Sequence, residues 1–173
     1  MEVLSDLIKI VFPAALVLTG IYITIGKYIQ KDFEKKILEL RTQNSSTVAP
    51  IRLQAYERIA LLLERITPHN LILRVNDPAF SALDLQAKLL MEVREEFYHN
   101  LSQQIYMSDE AWALVRKAVE DIVSVINTSA QQVAKDAPGI ELARKVFEQM
   151  IEMNEEPTAL ALRTIKDEIR QTF

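Results

Sequence analysis

An all-α fold is predicted: a single transmembrane helix at the N-terminus that continues into a stalk, then a compact bundle of about five helices. Three observations predict it. Ile10 to Gly26 (IVFPAALVLTGIYITIG) runs for 17 residues without a charge, bracketed by Lys9 and Lys27. Beyond it, apolar residues recur every three or four positions in one segment after another, the spacing of a helix face. Glycine is nearly absent. Of three in 173 residues, two lie in the apolar run, which leaves Gly139 for everything else. That scarcity excludes a turn-rich β architecture and glycine-rich phosphate loops.

The first element is the anchor. A helix rises about 1.5 Å per residue, so about 20 apolar residues cross a bilayer core, with a range of about 17–25. Ile10 to Gly26 meets the lower limit, and counting from Val3, with Asp6 and Lys9 at the headgroups, exceeds it. Pro13 and Gly20 are tolerated in membrane helices, and Tyr22 and Tyr28 suit an aromatic belt. Ala15, Thr19 and Gly20 would let another helix approach, without forming a GxxxG pair. A buried core helix would seldom carry a charge on each side and none within. A signal peptide needs a basic start and a small-x-small cleavage site, whereas this start is acidic (Glu2, Asp6). A helix lying in the interface would be amphipathic.

Orientation follows the flanking lysines and arginines, which are retained in the cytoplasm. Lys9 alone precedes the run, and Lys27, Lys31, Lys35, Lys36 and Arg41 follow it. The expectation is a single-pass protein with its N-terminus outside and its C-terminal domain in the cytoplasm. The absence of cysteine fits a reducing compartment. A net charge of −4 argues against nucleic-acid binding. The boundaries are an anchor over 1–27, an amphipathic stalk over 28–46 and a helical-bundle domain over 47–173.

The stalk carries Ile29, Phe33, Ile37 and Leu40 on one helix face, with Lys and Glu on the others. This stripe either packs on the chain's own domain or meets a partner, and these four residues are the candidate partner-binding set. Asn44-Ser45-Ser46-Thr47 is a polar linker. Pro50 suits the first turn of the next helix, whose broad stripe comprises Leu53, Tyr56, Ala60 and Leu63, widened by Ile59, Leu62 and Ile66. Thr67-Pro68-His69-Asn70 ends it. Leu71 to Val75 reads as an extended connector or one helical turn, and Asn76-Asp77-Pro78 as a turn.

Ser81 with Asp84 is close to a capping box, opening a helix to about Gln104 with Leu85, Leu89, Val93, Phe97 and Leu101 at four-residue spacing. Ser108 caps the next helix, with Asp109 and Glu110 in its first turn. Trp112, Val115, Val119, Ile122, Ile126 and Ala130 follow in a near-heptad seam. After the break at Ala134 to Gly139, Ile140, Ala143, Phe147 and Met150 mark another helix. After Glu156-Pro157, Leu162, Ile165, Ile169 and Phe173 mark the last.

Chemistry-bearing patterns are few. Glu96 and His99 have the E-x-x-H spacing of carboxylate-bridged metal bundles, which need a second such pair, and His69 has no matching Glu. No cysteine and no glycine-framed serine offers a nucleophile. Tyr98, Tyr106 and Trp112 are expected to pack between the third and fourth helices. The Glu64-Arg65 and Arg94-Glu95-Glu96 clusters would make ion pairs across the bundle. No catalytic residue, metal ligand or cofactor is expected.

The strings LQAYERIALLLERITPHNLILRV, REEFYHNLSQQIYMSDEAWALVRKA and PGIELARKVFEQM together resemble a family of uncharacterised membrane-anchored proteins from Bacteroidota, classed as a domain of unknown function. The resemblance spans nearly the whole chain. It implies the single anchor, the helical domain and an inner-membrane location, and brings no activity or cofactor. The expected function is a non-catalytic structural or interaction subunit that docks a protein partner, a membrane complex or a second copy, at the cytoplasmic face. The alternative is an enzyme or small-molecule sensor with a pocket between helices, for which Arg74, Arg94, Glu95, Tyr98 and His99 are the residues to inspect.

Overall fold

The computed structural model describes residues 24–28, 30–33, 35–36, 48–153 and 156–172, and every regular element among them is helical. The chain divides into two units, with the cut between Ala49 and Pro50. In the first unit the described residues between 24 and 36 are helical. The second unit comprises α1 (helical from 50 to 66), α2 (Pro68–Val75), α3 (Ala82–Asn100), a 3-10 helix (Leu101–Tyr106), α4 (Asp109–Ala130), α5 (Gly139–Glu152) and α6 (Ala159–Thr172).

Helix α1 buries Tyr56, Ile59, Leu62, Leu63 and Ile66 completely. Leu53, expected on the same stripe, is exposed. Three polar contacts fix the direction of α1: Arg52 Nε donates to the Tyr106 carbonyl at 3.3 Å, Arg58 Nε to Asn100 Oδ1 at 3.2 Å, and Arg65 Nε lies 3.0 Å from Glu96 Oε2. As the numbers rise along α1, those of the partners fall, so α1 runs antiparallel to α3 and the 3-10 helix.

Thr67-Pro68-His69-Asn70 interrupts the helix and at once restarts it, so that Leu71 to Val75 is neither extended nor a single turn. Pro68 lacks the N–H that the Glu64 carbonyl would accept. Thr67 Oγ1 and Asn70 Nδ2 donate to that carbonyl instead, at 2.9 and 2.8 Å. Pro68 then occupies the first turn of α2, where its missing donor costs nothing. Leu71 and Ile72 are buried on the domain-facing side.

The start of α3 satisfies each of its orphan donors. Ala82 N donates to Ala137 O at 2.7 Å and Leu83 N to Lys135 O at 3.1 Å. Asp84 N donates to Ser81 Oγ at 3.2 Å, and Asp84 Oδ2 accepts from Ser81 N at 3.1 Å, the capping box the sequence suggests. The 134–138 segment therefore wraps the N-terminus of α3, and Gly139 N closes the contact by donating to Phe80 O at 2.8 Å. A Cβ on Gly139 would lie 3.0 Å from that carbonyl oxygen, which is why the domain's single glycine stands there.

Leu85, Leu89 and Val93 of α3 are buried, Phe97 is half-buried and Leu101 is exposed. Steps of four residues advance the stripe about 40° beyond a full turn each time, so it walks off the buried face. The α-helix accordingly ends at Asn100 and the chain tightens into the 3-10 helix. In α4 the near-heptad seam holds: Val115, Val119, Ile122 and Ile126 are buried and Trp112 and Ala130 half-buried. Trp112 stacks on Phe97 with ring centroids 5.6 Å apart. Tyr98, expected in the same layer, is instead exposed. Helix α4 packs on α3, α5 and α6. The buried face of α5 is Leu142, Ala143 and Val146, with Ile140 turned to the surface. Ala161 and Ile165 seat α6, and Phe173 lies outside the described residues.

Two substitutions test this packing by chemical denaturation of residues 50–173. Leu63→Ala leaves a cavity at the centre and is expected to cost about 2–5 kcal/mol. Gly139→Ala is expected to destabilise the domain, although an unobstructed Gly→Ala change in a helix stabilises by about 0.5–1 kcal/mol. A stabilised Gly139→Ala variant would contradict the close crossing of α5 over Phe80.

Candidate functional site

Of the candidate partner-binding residues, Phe33 is described, and Ile29, Ile37 and Leu40 lie outside the described residues. Phe33 is 65 % exposed on its helix, where Ile25 and Tyr28 are also exposed. Asp32 and Lys36 form an i,i+4 pair at 3.5 Å, of the exposed kind that adds little. Residues 1–23, which hold most of the expected anchor, lie outside the described residues. Among those described, no helix is long and apolar enough to cross a membrane.

In the domain the most connected polar site joins α1, the 3-10 helix, α4 and α6. Tyr56, fully buried, donates its hydroxyl to Glu168 Oε1 at 2.6 Å. Ser108 donates its N–H to the same oxygen at 2.9 Å and its hydroxyl to Glu168 Oε2 at 2.8 Å. Ser108 Oγ also accepts from Ala111 N at 3.1 Å, so one hydroxyl caps α4 and clamps α6. Arg52 Nη2 donates to the Tyr56 oxygen at 3.2 Å. Burial pushes the Tyr56 phenol above its ordinary pKa, its bond to Glu168 adds to this, and Arg52 opposes it. For Glu168, burial alone would push the carboxyl up. The hydrogen bonds from Tyr56 and Ser108, with the Arg52 charge, outweigh burial and hold it below the ordinary glutamate value. No local pattern announces this site, because Tyr56 and Glu168 are 112 positions apart.

A second polar feature is an open groove of about 400 Å³ between α1 and α3, lined by Arg58, Leu61, Arg65, Glu96, His99 and Asn100. Arg58, Leu61 and Arg65 share one face of α1 at three- and four-residue steps. The Arg65–Glu96 pair realises the expected bridge across the bundle. Asn100, 3 % exposed, donates Nδ2 to Glu96 O at 2.9 Å and so turns Oδ1 towards Arg58.

The residues singled out for a pocket-bearing reading do not converge. Arg74 lies 3.4 Å from Glu92, whose carboxyl is held low by the Lys88 hydrogen bond against its own burial, helped by the Lys88 and Arg74 charges. Arg94, Glu95 and Tyr98 are exposed and line none of the described clefts, whereas His99 joins the α1–α3 groove. A smaller cleft of about 180 Å³ lies beside α4 and the start of α6, lined by Leu114, Asp121, Met153 and Pro157 among others. No group of three His, Cys, Asp or Glu is arranged to hold a metal ion among the described residues.

Comparison with protein families decides the kinship. Residues 2–172 match the family of unknown function DUF7935. The chain belongs to that family. The match runs from the uncharged N-terminal run to the last helix. No curated protein matches the chain. No solved structure matches it.

The Glu168 clamp yields a pH dependence of defined sign. A depressed native carboxyl contributes stability that is complete above the ordinary value of about 4.3 and is lost as pH falls through the native value. Glu168→Gln is expected to lower stability near neutral pH by about 1.5–3 kcal/mol, the range for hydrogen bonds to a charged group, and to flatten the acid limb. Urea midpoints of both proteins over a pH series read this, and an unchanged acid limb in the variant would contradict it.

Proposed function

We propose that this DUF7935 member is a non-catalytic, membrane-anchored interaction subunit of a bacterial inner membrane. Its helical domain would sit at the cytoplasmic face and dock a protein partner, either a membrane complex or a second copy of the chain. The observation that carries this reading is the adjacency of two sequence features: the uncharged run Ile10 to Gly26, followed directly by the stripe Ile29, Phe33, Ile37 and Leu40. The first has the length and composition of a spanning helix. The excess of lysine and arginine behind it supports the inward orientation. The second spaces apolar residues at helical intervals directly behind the spanning run, and the exposure of Phe33 supports the availability of that side chain to a partner. The resemblance to membrane-anchored Bacteroidota proteins supports the same location.

Gentle detergent extraction of the full-length protein, followed by affinity capture and mass spectrometry, tests this. A second protein in fixed stoichiometry, or a defined homo-oligomer, is expected. Phe33→Asp should reduce its recovery by about tenfold or more, as for a central interface residue, with no change in the domain's unfolding. A clean monomer that brings nothing with it would contradict the proposal.

A further inference from the structure

The α1–α3 groove holds two arginines whose geometry the bundle has already fixed. Arg58 is bound through Nε alone, to the side chain of the buried Asn100. Asn100 is itself locked, because its Nδ2 is committed to Glu96 O. The guanidinium is thus oriented by a buried amide that has no freedom to flip, and its two Nη groups have no partner among the described residues. Arg65 is likewise engaged through Nε, by Glu96 Oε2 at 3.0 Å, and its side chain remains half exposed to the groove. His99, one turn along α3 from Glu96, lines the same groove and has no hydrogen-bond partner among the described residues. Arg58, Arg65 and His99, from two antiparallel helices, therefore line one open space of about 400 Å³.

We propose that this groove binds a phosphoryl group carried on an organic molecule. Charge favours an anion, since Arg58 and Arg65 line the groove against one lining carboxylate, that of Glu96, while the Glu92 carboxyl, which also feels the Arg65 charge, lies outside the lining. Guanidinium groups present paired N–H donors that match phosphate oxygens. Donors arriving from three side chains suit a tetrahedral group with three terminal oxygens better than a planar carboxylate with two. Leu61, exposed on the wall between Arg58 and Arg65, offers an apolar contact for the remainder of the molecule. Glu96 neutralises part of Arg65 and keeps the groove from being an unselective anion trap. The same phosphoryl chemistry occurs in soluble phosphate monoesters and in anionic lipid headgroups. This site is separate from the stalk stripe and stands whether or not that stripe binds a partner.

Isothermal titration of the full chain in a mild non-ionic detergent tests the proposal with phenyl phosphate, dihexanoyl phosphatidate and benzoate. Saturable binding of a phosphoryl probe at about millimolar concentration or below is expected, with benzoate weaker by about tenfold, the scale of one charge-assisted hydrogen bond. His99→Ala breaks no internal bond of the domain and should weaken phosphoryl binding by a similar factor, while Arg116→Gln, on the exposed face of α4, should leave it unchanged. Arg58→Gln should abolish it, with circular dichroism confirming the fold. Equal affinity for phenyl phosphate and dihexanoyl phosphatidate supports a soluble ester as the natural occupant, and a clear preference for the phosphatidate supports a lipid headgroup. No saturable binding of either phosphoryl probe, benzoate binding as tightly, or binding indifferent to both His99→Ala and Arg58→Gln would overturn the proposal.

Discussion

Helix α1 buries a face too wide for one neighbour to cover, and the domain is arranged around that need. Ala55, Tyr56, Ile59, Leu62, Leu63 and Ile66 together span about a third of its circumference. Removing such side chains from water is the dominant favourable contribution to folding, about 1.5–3 kcal/mol for each large one. Three different elements meet the rim of this face through polar contacts: the 3-10 helix at Arg52, α3 at Arg58 and Arg65, and α6 at Tyr56. Those contacts decide register rather than bulk stability. Apolar burial alone would tolerate a slip of α6 along α1, whereas the Tyr56–Glu168–Ser108 clamp is satisfied in one register only.

The sequence made the helical class and most helix starts legible, because these depend on neighbours in the chain. Ser81 and Ser108 cap the helices they precede, with the acidic residues that favour a helix N-terminus just behind them. The α4 seam is the clearest case, since its mixed three- and four-residue steps keep pace with a helix of 3.6 residues per turn. The uniform four-residue steps of α3 do not keep pace, and for that reason Leu101 leaves the core. Residues Leu71 to Val75 were ambiguous because a short apolar run fits either class. The decisive signal lay just before it, in a proline that ends one helix by lacking a donor and begins the next for the same reason.

The polar sites were far less legible. Tyr56 and Glu168 meet only because the last helix returns to the first, and the wrapping of α3 by residues 134–138 is likewise non-local. The α1–α3 groove was partly visible: Arg65 and Glu96 stood in charge clusters, and His99 stood out as one of two histidines. The role of Asn100 was not visible, since nothing local marks a buried amide that aims an arginine on another helix.

The division between these two parts is most directly tested by alkaline carbonate extraction of cell membranes, comparing the full chain with the chain from Pro50 onward. The full chain is expected to stay with the membrane pellet, and the shorter chain to be recovered in the supernatant. Release of the full chain by carbonate would contradict a spanning helix at Ile10 to Gly26 and, with it, the anchored reading of the protein.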